Sequence, residues 1–75
     1  MKIRFSFSIN NDSDIYQSDA FLWPHDFLPQ KGDTVIMESF VDFGEGIEDF
    51  ASDHLFVVHA FFWTKESLIL EMKKQ

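Results

Sequence analysis

Cysteine is absent from the 75 residues of this chain, which excludes disulfide bonds and thiolate metal ligands. Proline and glycine are also scarce, with two and three residues, so few positions mark turns. No apolar run approaches the ~20 residues that a membrane-spanning helix needs. The first segment, 1–9, alternates apolar and polar residues and therefore lacks the continuous apolar stretch of a secretory signal. These absences predict a cytoplasmic protein that does not associate with membranes.

Positive charge is missing from a long central part of the chain. Between Gly32 and Thr64 there is no Lys or Arg. The acidic residues in this stretch are Asp33, Glu38, Asp42, Glu45, Glu48, Asp49 and Asp53. Since the remaining acids and bases balance, this stretch carries the whole net charge of −7. Such a surface repels polyanions and favours a cationic or apolar partner, so we expect no binding to duplex nucleic acid.

Aromatic residues, by contrast, are abundant: ten Phe, two Trp and one Tyr. A chain of this length buries only about 60% of its unfolded surface. Each buried aromatic side chain removes roughly 150–250 Å² from water, equivalent to about 4–6 kcal/mol before entropic costs. Aromatic packing can therefore replace disulfides, and residues 1–75 are predicted to form a single domain. Such a small interior cannot hold every ring, so several are expected at the surface.

Hydrophobic periodicity predicts a β-rich chain. Ile3, Phe5 and Phe7 alternate with polar residues, as in a strand with one buried face. The segment 55–64 has apolar residues at successive positions, which is typical of a strand covered on both faces. The predicted strands lie near residues 2–10, 34–43, 55–64 and 67–74, with a short one at 20–23.

The predicted fold class is all-β. In the stretch from Leu28 to Val35, Pro29 and Gly32 suit the two corners of a β-turn. These eight residues resemble the turn that precedes a strand in many SH3-like small barrels, a resemblance that implies no activity. We expect a small SH3-like barrel or a strongly twisted antiparallel sheet of about four or five strands. The alternative is an α+β fold with a C-terminal helix at 65–75, because Lys73 and Lys74 suit the end of a helix dipole.

The strand at 55–64 would present two apolar faces, and one small domain covers only one of them. The residues expected on the second face are Phe56, Val58, Ala60 and Phe62, together with Ile36 and Phe40. We therefore expect either that the sheet closes on itself or that a homodimer hides this face.

No motif indicates catalysis. The chain has no nucleophile elbow, P-loop or cysteine nucleophile, and so small a barrel leaves little room for a ligand cavity. His54 and His59 are five residues apart, which places them on opposite faces of a strand. The acids of residues 42–53 lack the alternate spacing of a calcium loop. We therefore expect a non-catalytic protein without cofactor or metal.

The loop at 42–54 is the predicted contact surface of a protein-interaction module whose partner is an unidentified protein. Within it, Ile47, Phe50 and Ala51 have the one-turn spacing of a short helix. The predicted partner-binding residues are Trp23, Phe27, Asp42, Phe43, Glu45, Glu48, Asp49, Phe50 and Asp53. Their aromatic members are either lids that close the core or anchors for the partner.

Two other functions remain open from the sequence. An acidic inhibitor or polyanion mimic would present the same loop to a basic site. A single-stranded nucleic-acid binder would stack bases on exposed rings such as Trp23 or Trp63. The few bases near the two termini, Lys2, Arg4, Lys73 and Lys74, would form a basic patch only if they gathered on the outer face of paired terminal strands.

Overall fold

The structure is a computed structural model that describes residues 1–9, 14–44 and 46–75. Its strands are β1 (Lys2–Ile9), β2 (Asp14–Gln17), β3 (Phe21–Leu22), β4 (Thr34–Val35), β5 (Phe56–Trp63) and β6 (Leu68–Lys74). A short 3₁₀ helix spans Met37–Ser39, and one α-helix, α1, spans Ile47–Asp53.

The strands form one open, mixed sheet in the order β2-β1-β6-β5-β4, and β3 also pairs with β1. The two terminal strands lie side by side and parallel, from the pair Ile3–Leu68 to the pair Phe7–Met72. All other pairs are antiparallel. Because the N-terminal and C-terminal strands are neighbours at the centre, the chain between them must both complete the sheet and cover it.

A buried serine joins β2 and β3 into one irregular edge strand beside β1. The Ser18 N–H donates to the Phe5 carbonyl at 2.9 Å, and the Phe5 N–H donates to the Ser18 hydroxyl at 2.9 Å. The Ser18 side chain therefore takes the place of a backbone acceptor where the ladder is interrupted. Without it, a buried N–H of β1 would lose its partner.

The core lies on one face of the sheet, against a layer built from the loop and helices between β4 and β5. The buried apolar residues are Ile3, Phe5, Phe7, Val35, Met37, Phe43, Ala51, Phe56, Val58, Leu68, Leu70 and Met72. Phe7 is central, with ring centroids of Phe56, Tyr16 and Phe43 at 5.2, 5.4 and 5.9 Å. The domain is thus a two-layer structure, and aromatic packing unites the layers.

The predicted strands at 2–10, 55–64 and 67–74 correspond to β1, β5 and β6, although residue 10 lies outside the described residues. The strand β6 rules out the alternative of a C-terminal helix. The prediction of a strand at 34–43 is wrong beyond Val35. The chain leaves the edge of the sheet there, and the side chain of Met37 is buried in the core. The edge strand left behind, β4, has only two residues. The predicted barrel does not form, since the sheet remains open, and the parallel β1–β6 pair means that it is not purely antiparallel.

A β-bulge in β5 divides between two faces the residues that were predicted to share one. Val58 pairs with Met72 and Ala60 pairs with Glu71, so His59 is an extra residue between them. One inserted residue reverses the alternation that follows it. Phe56 and Val58 therefore face the core, whereas Ala60 and Phe62 lie on the opposite face with Val57. Phe40, expected beside them, packs instead against the core.

Candidate functional site

The predicted acidic loop contains α1, and its apolar residues hold that helix on the core. Ala51 is buried, while Ile47 and Phe50 are half-buried against the core cluster. The N–H groups of Ile47 and Glu48 both donate to the Gly44 carbonyl at 3.1 Å, which closes the first turn. The short helix predicted inside the loop is confirmed. Part of the predicted loop is therefore a helix that packs on the core.

The outer surface of this segment consists of carboxylates. Asp42, Glu48, Asp49 and Asp53 are all exposed, and Glu45 lies outside the described residues. In the part of the chain that the structure describes, none of these four carboxylates lies within 4.0 Å of a Lys or Arg nitrogen. We call these four residues the acidic surface. Within the described residues, these carboxylates therefore have no salt-bridge partner.

Two of the predicted aromatic anchors are core lids. Phe43 is only 6% exposed and packs against Phe7 and Tyr16, with ring centroids 5.9 and 5.7 Å away. The Phe50 ring is stacked on Phe7 at 6.1 Å, and the Lys74 ammonium lies 5.6 Å from its centroid. The acidic surface therefore offers a partner charge, with little aromatic area.

The other two predicted anchors lie at the opposite end of β1. Trp23 donates its backbone N–H to the Met1 carbonyl at 2.9 Å, whereas Phe43 and Phe50 surround Phe7. The Trp23 ring stacks on Phe40 at 4.8 Å, and its indole N–H donates to the Phe27 carbonyl at 2.6 Å. The predicted site residues thus form two separate groups.

The sheet face away from the core carries a second group of side chains. The sequence predicted a basic patch there only if the two terminal strands paired. Its members are Lys2, Arg4, Ser6 and Ser8 of β1, Val57, Ala60 and Phe62 of β5, and Ile69, Glu71 and Lys73 of β6. All are half-buried or exposed, and we call this surface the open face. Pairing of the terminal strands places Lys2, Arg4 and Lys73 on the same face, but the parallel register puts Lys73 level with Ser8, at the other end of β1 from Lys2. The cations therefore do not gather into the single basic patch that the condition described. Lys74 instead lies beside Phe50.

Specific contacts order the open face. Phe62, Ile69 and Arg4 form one row across β5, β6 and β1, and Phe62 is 51% exposed. An Arg4 Nη1 hydrogen donates to the Ser18 carbonyl at 3.2 Å. Glu71, the acid of this face, has its Oε1 atom 3.7 Å from His59 Nε2. A charged pair forms there only when the imidazole is protonated.

Two hollows adjoin the open face. One, of about 230 Å³, lies at the β5–β6 turn and is lined in part by Arg4 and Lys65. The other, of about 540 Å³, lies where β1 and β6 separate beyond Phe7 and Met72, and Lys73 and Lys74 contribute to its wall. Each hollow is therefore lined by two cationic side chains and one carboxylate, which is Glu66 in the first and Glu71 in the second.

Other kinds of site find no support in the described residues. Residues 1–9, 14–44 and 46–75 contain no group of three or more His, Asp or Glu side chains arranged to hold a metal ion. No helix in these ranges has the length and apolar character to cross a membrane. The sequence has no significant match among protein-family models, curated proteins or solved structures.

Proposed function

We propose that this chain is a non-catalytic protein-interaction module whose acidic surface binds a cationic surface of a protein partner. The observation that carries the proposal is the cluster of exposed carboxylates formed by Asp42 and by Glu48, Asp49 and Asp53 of α1, a helix that packs on the core. Within the described residues none of them has a salt-bridge partner. A surface of one sign gives electrostatic complementarity, which favours fast and specific encounter with an oppositely charged partner.

The acids of α1 differ in how well they suit the isolated domain. Glu48 and Asp49 lie in the first turn, where the helix dipole favours negative charge. Asp49 and Asp53 are four residues apart in α1, where like charges destabilise a helix by about 0.2–0.5 kcal/mol. Asp53 also lies in the last turn, which has no basic residue, and a negative charge there opposes the helix dipole by about 0.3–1 kcal/mol. Lys or Arg side chains of a partner would relieve the two unfavourable effects that involve Asp53.

The test compares two variants with the same change in net charge. The first neutralises the acidic surface by the substitutions Asp42→Asn, Glu48→Gln, Asp49→Asn and Asp53→Asn. The control neutralises four exposed acids elsewhere by Asp14→Asn, Asp19→Asn, Asp26→Asn and Glu66→Gln. Binding of a labelled arginine-rich peptide is measured by fluorescence anisotropy, and protein partners are captured from source-cell lysate on each variant.

We expect the control to bind the peptide nearly as well as the natural chain and the acidic-surface variant to lose most of the binding. Wild-type binding should weaken with salt, because the Debye length falls from ~10 Å at 0.1 M to ~3 Å at 1 M. Equal loss in both variants would mean that net charge alone matters and would contradict a localised site. If nucleic acid displaces a captured partner, the acidic surface acts as a polyanion mimic at a basic site.

A further inference from the structure

We propose that the open face binds single-stranded nucleic acid. This function goes beyond the interaction proposed for the acidic surface, because it uses other residues and a ligand of opposite charge. It is argued from the sign of the charges on this face, the exposed ring of Phe62 on β5 and the position of the two hollows.

The fold separates the charges of the chain between its two layers. Residues 23–55, which form β4 and the covering layer, contain eight acids and one base and so carry a net charge of −7. The sheet-forming remainder is neutral, yet it places Lys2, Arg4 and Lys73 on the open face against one acid, Glu71. Glu71 lies beside His59 at 3.7 Å. The open face is therefore the side of the domain that complements a phosphate backbone.

The row across the sheet pairs a stacking surface with a cation. Phe62 is 51% exposed, and Arg4 lies two strands away in the same row, about 10 Å at the usual strand spacing. Exposed rings on a sheet stack unpaired bases, whereas bases within a duplex are not accessible to such a ring. Because the Arg4 guanidinium donates to Ser18 on the other side of β1, it would meet the phosphate of a neighbouring nucleotide and not that of the base stacked on Phe62. This geometry favours single strands.

The two hollows extend the cationic positions along the strand direction. Arg4 and Lys65 line one of them, which Glu66 also borders, and Lys73 and Lys74 line the other. Arg4 and Ser8, which also borders the second hollow, are four residues apart on β1, a distance of about 13 Å. A short oligonucleotide on the open face can contact both hollows while one base stacks on Phe62, level with Arg4 of the first hollow.

A second copy of this chain is a less suitable occupant of the open face. A two-fold pair of these faces would bring two sets of Lys2, Arg4 and Lys73 into one interface, and among the described residues of this face Glu71 is the one acid that each copy offers. Like charges juxtaposed in an interface are unfavourable. Charge complementarity thus selects the polyanion.

The experiment measures fluorescence anisotropy of labelled oligo(dT) and oligo(U) of about twelve nucleotides, a length in the range of single-strand binding sites. We expect micromolar binding at low salt, with affinity falling as salt rises. Phe62→Ala should weaken it about 5- to 100-fold, by loss of one stacked base, and Phe62→Tyr should retain it. Lys2→Gln with Lys73→Gln should lower the salt slope by about 1.4.

Matched controls change the same residue types away from the open face: Phe27→Ala, at a ring that is 71% exposed, and Lys31→Gln in an exposed turn. Circular dichroism reports whether each variant folds, and if Phe62→Ala does not, the lysine variants decide the question. No binding at low salt, or equal losses in variants and controls, would overturn the proposal. A wild-type dimer that Phe62→Ala dissociates, without oligonucleotide binding, would overturn it in favour of self-association.

Discussion

Replacing Ser18 by Ala tests how the irregular edge of the sheet is held together. Ser18 is 1% exposed. Its hydroxyl accepts the Phe5 N–H at 2.9 Å and donates to the Asp19 carbonyl at 3.1 Å. Its own carbonyl accepts from Arg4, so this segment also positions the guanidinium on the open face. The substitution Ser18→Ala removes the hydroxyl and leaves the Phe5 N–H without its acceptor.

The cost follows from the burial of Phe5, which is 0% exposed. A buried donor without a partner costs about 1–3 kcal/mol, a large part of the ~4–11 kcal/mol expected for a domain of this size. A loss of about 2 kcal/mol corresponds to a fall in Tm of roughly 8–16 °C. The matched control is Ser52→Ala in α1, whose exposed hydroxyl donates to the Glu48 carbonyl at 2.7 Å. Because alanine is the better helix former, we expect this control to change stability by less than about 0.5 kcal/mol.

Urea unfolding followed by tryptophan fluorescence gives both free energies, and hydrogen exchange of the Phe5 amide gives the local effect. We expect Ser18→Ala to lower the midpoint and to accelerate exchange at Phe5, with no such change for Ser52→Ala. If the two serine variants were equally stable, the Ser18 hydroxyl would not be the acceptor on which this edge depends, and the reasoning would fail.

Two further predictions concern the candidate surfaces. Phe43→Ala should destabilise the domain by about 3–5 kcal/mol because it empties a core position. The control Phe27→Ala, at an exposed ring, should cost less than about 0.5 kcal/mol. Similar urea midpoints for the two variants would contradict the assignment of Phe43 as a core lid. The acidic-surface variant of four neutralised carboxylates changes the net charge from −7 to −3 and should bind oligonucleotides several-fold more tightly, since repulsion from the covering layer falls. Weaker binding in the anisotropy assay would place the nucleic acid on the acidic side instead.

The strands that the sequence predicted well are those whose pattern is set by burial. In β1, Ile3, Phe5 and Phe7 alternate with polar residues and are buried, so local periodicity was sufficient. The same holds for Leu68, Leu70 and Met72 of β6. The strand pairing between them joins residues more than sixty positions apart. No local signal carries such information, and the parallel β1–β6 pair was therefore not predicted.

The errors have two physical causes. The apolar residues beyond Val35 fit the pattern of a strand. Met37, in the 3₁₀ helix, and Phe43, in irregular backbone, are instead buried in the layer that covers the sheet. Tertiary burial thus overrode strand propensity. In β5, a bulge at His59 reversed the faces after Val58. Because apolar residues occupy both faces of this segment, either register satisfies the hydrophobic pattern, and only the pairing with β6 decides between them.

The acidic surface could be predicted from the sequence and the open face could not, because the first depends on local sequence and the second on long-range strand pairing. The acids lie close together in the sequence, and one continuous segment forms the covering layer. Their clustering in space therefore follows from their clustering along the chain. The cations lie near both ends of the chain and share one face of the sheet only because β1 and β6 are neighbours. The topology that takes the acidic segment across one face of the sheet necessarily leaves the terminal strands to form the other. The opposite charges of the two surfaces therefore have one cause, the position of the terminal strands at the centre of an open sheet.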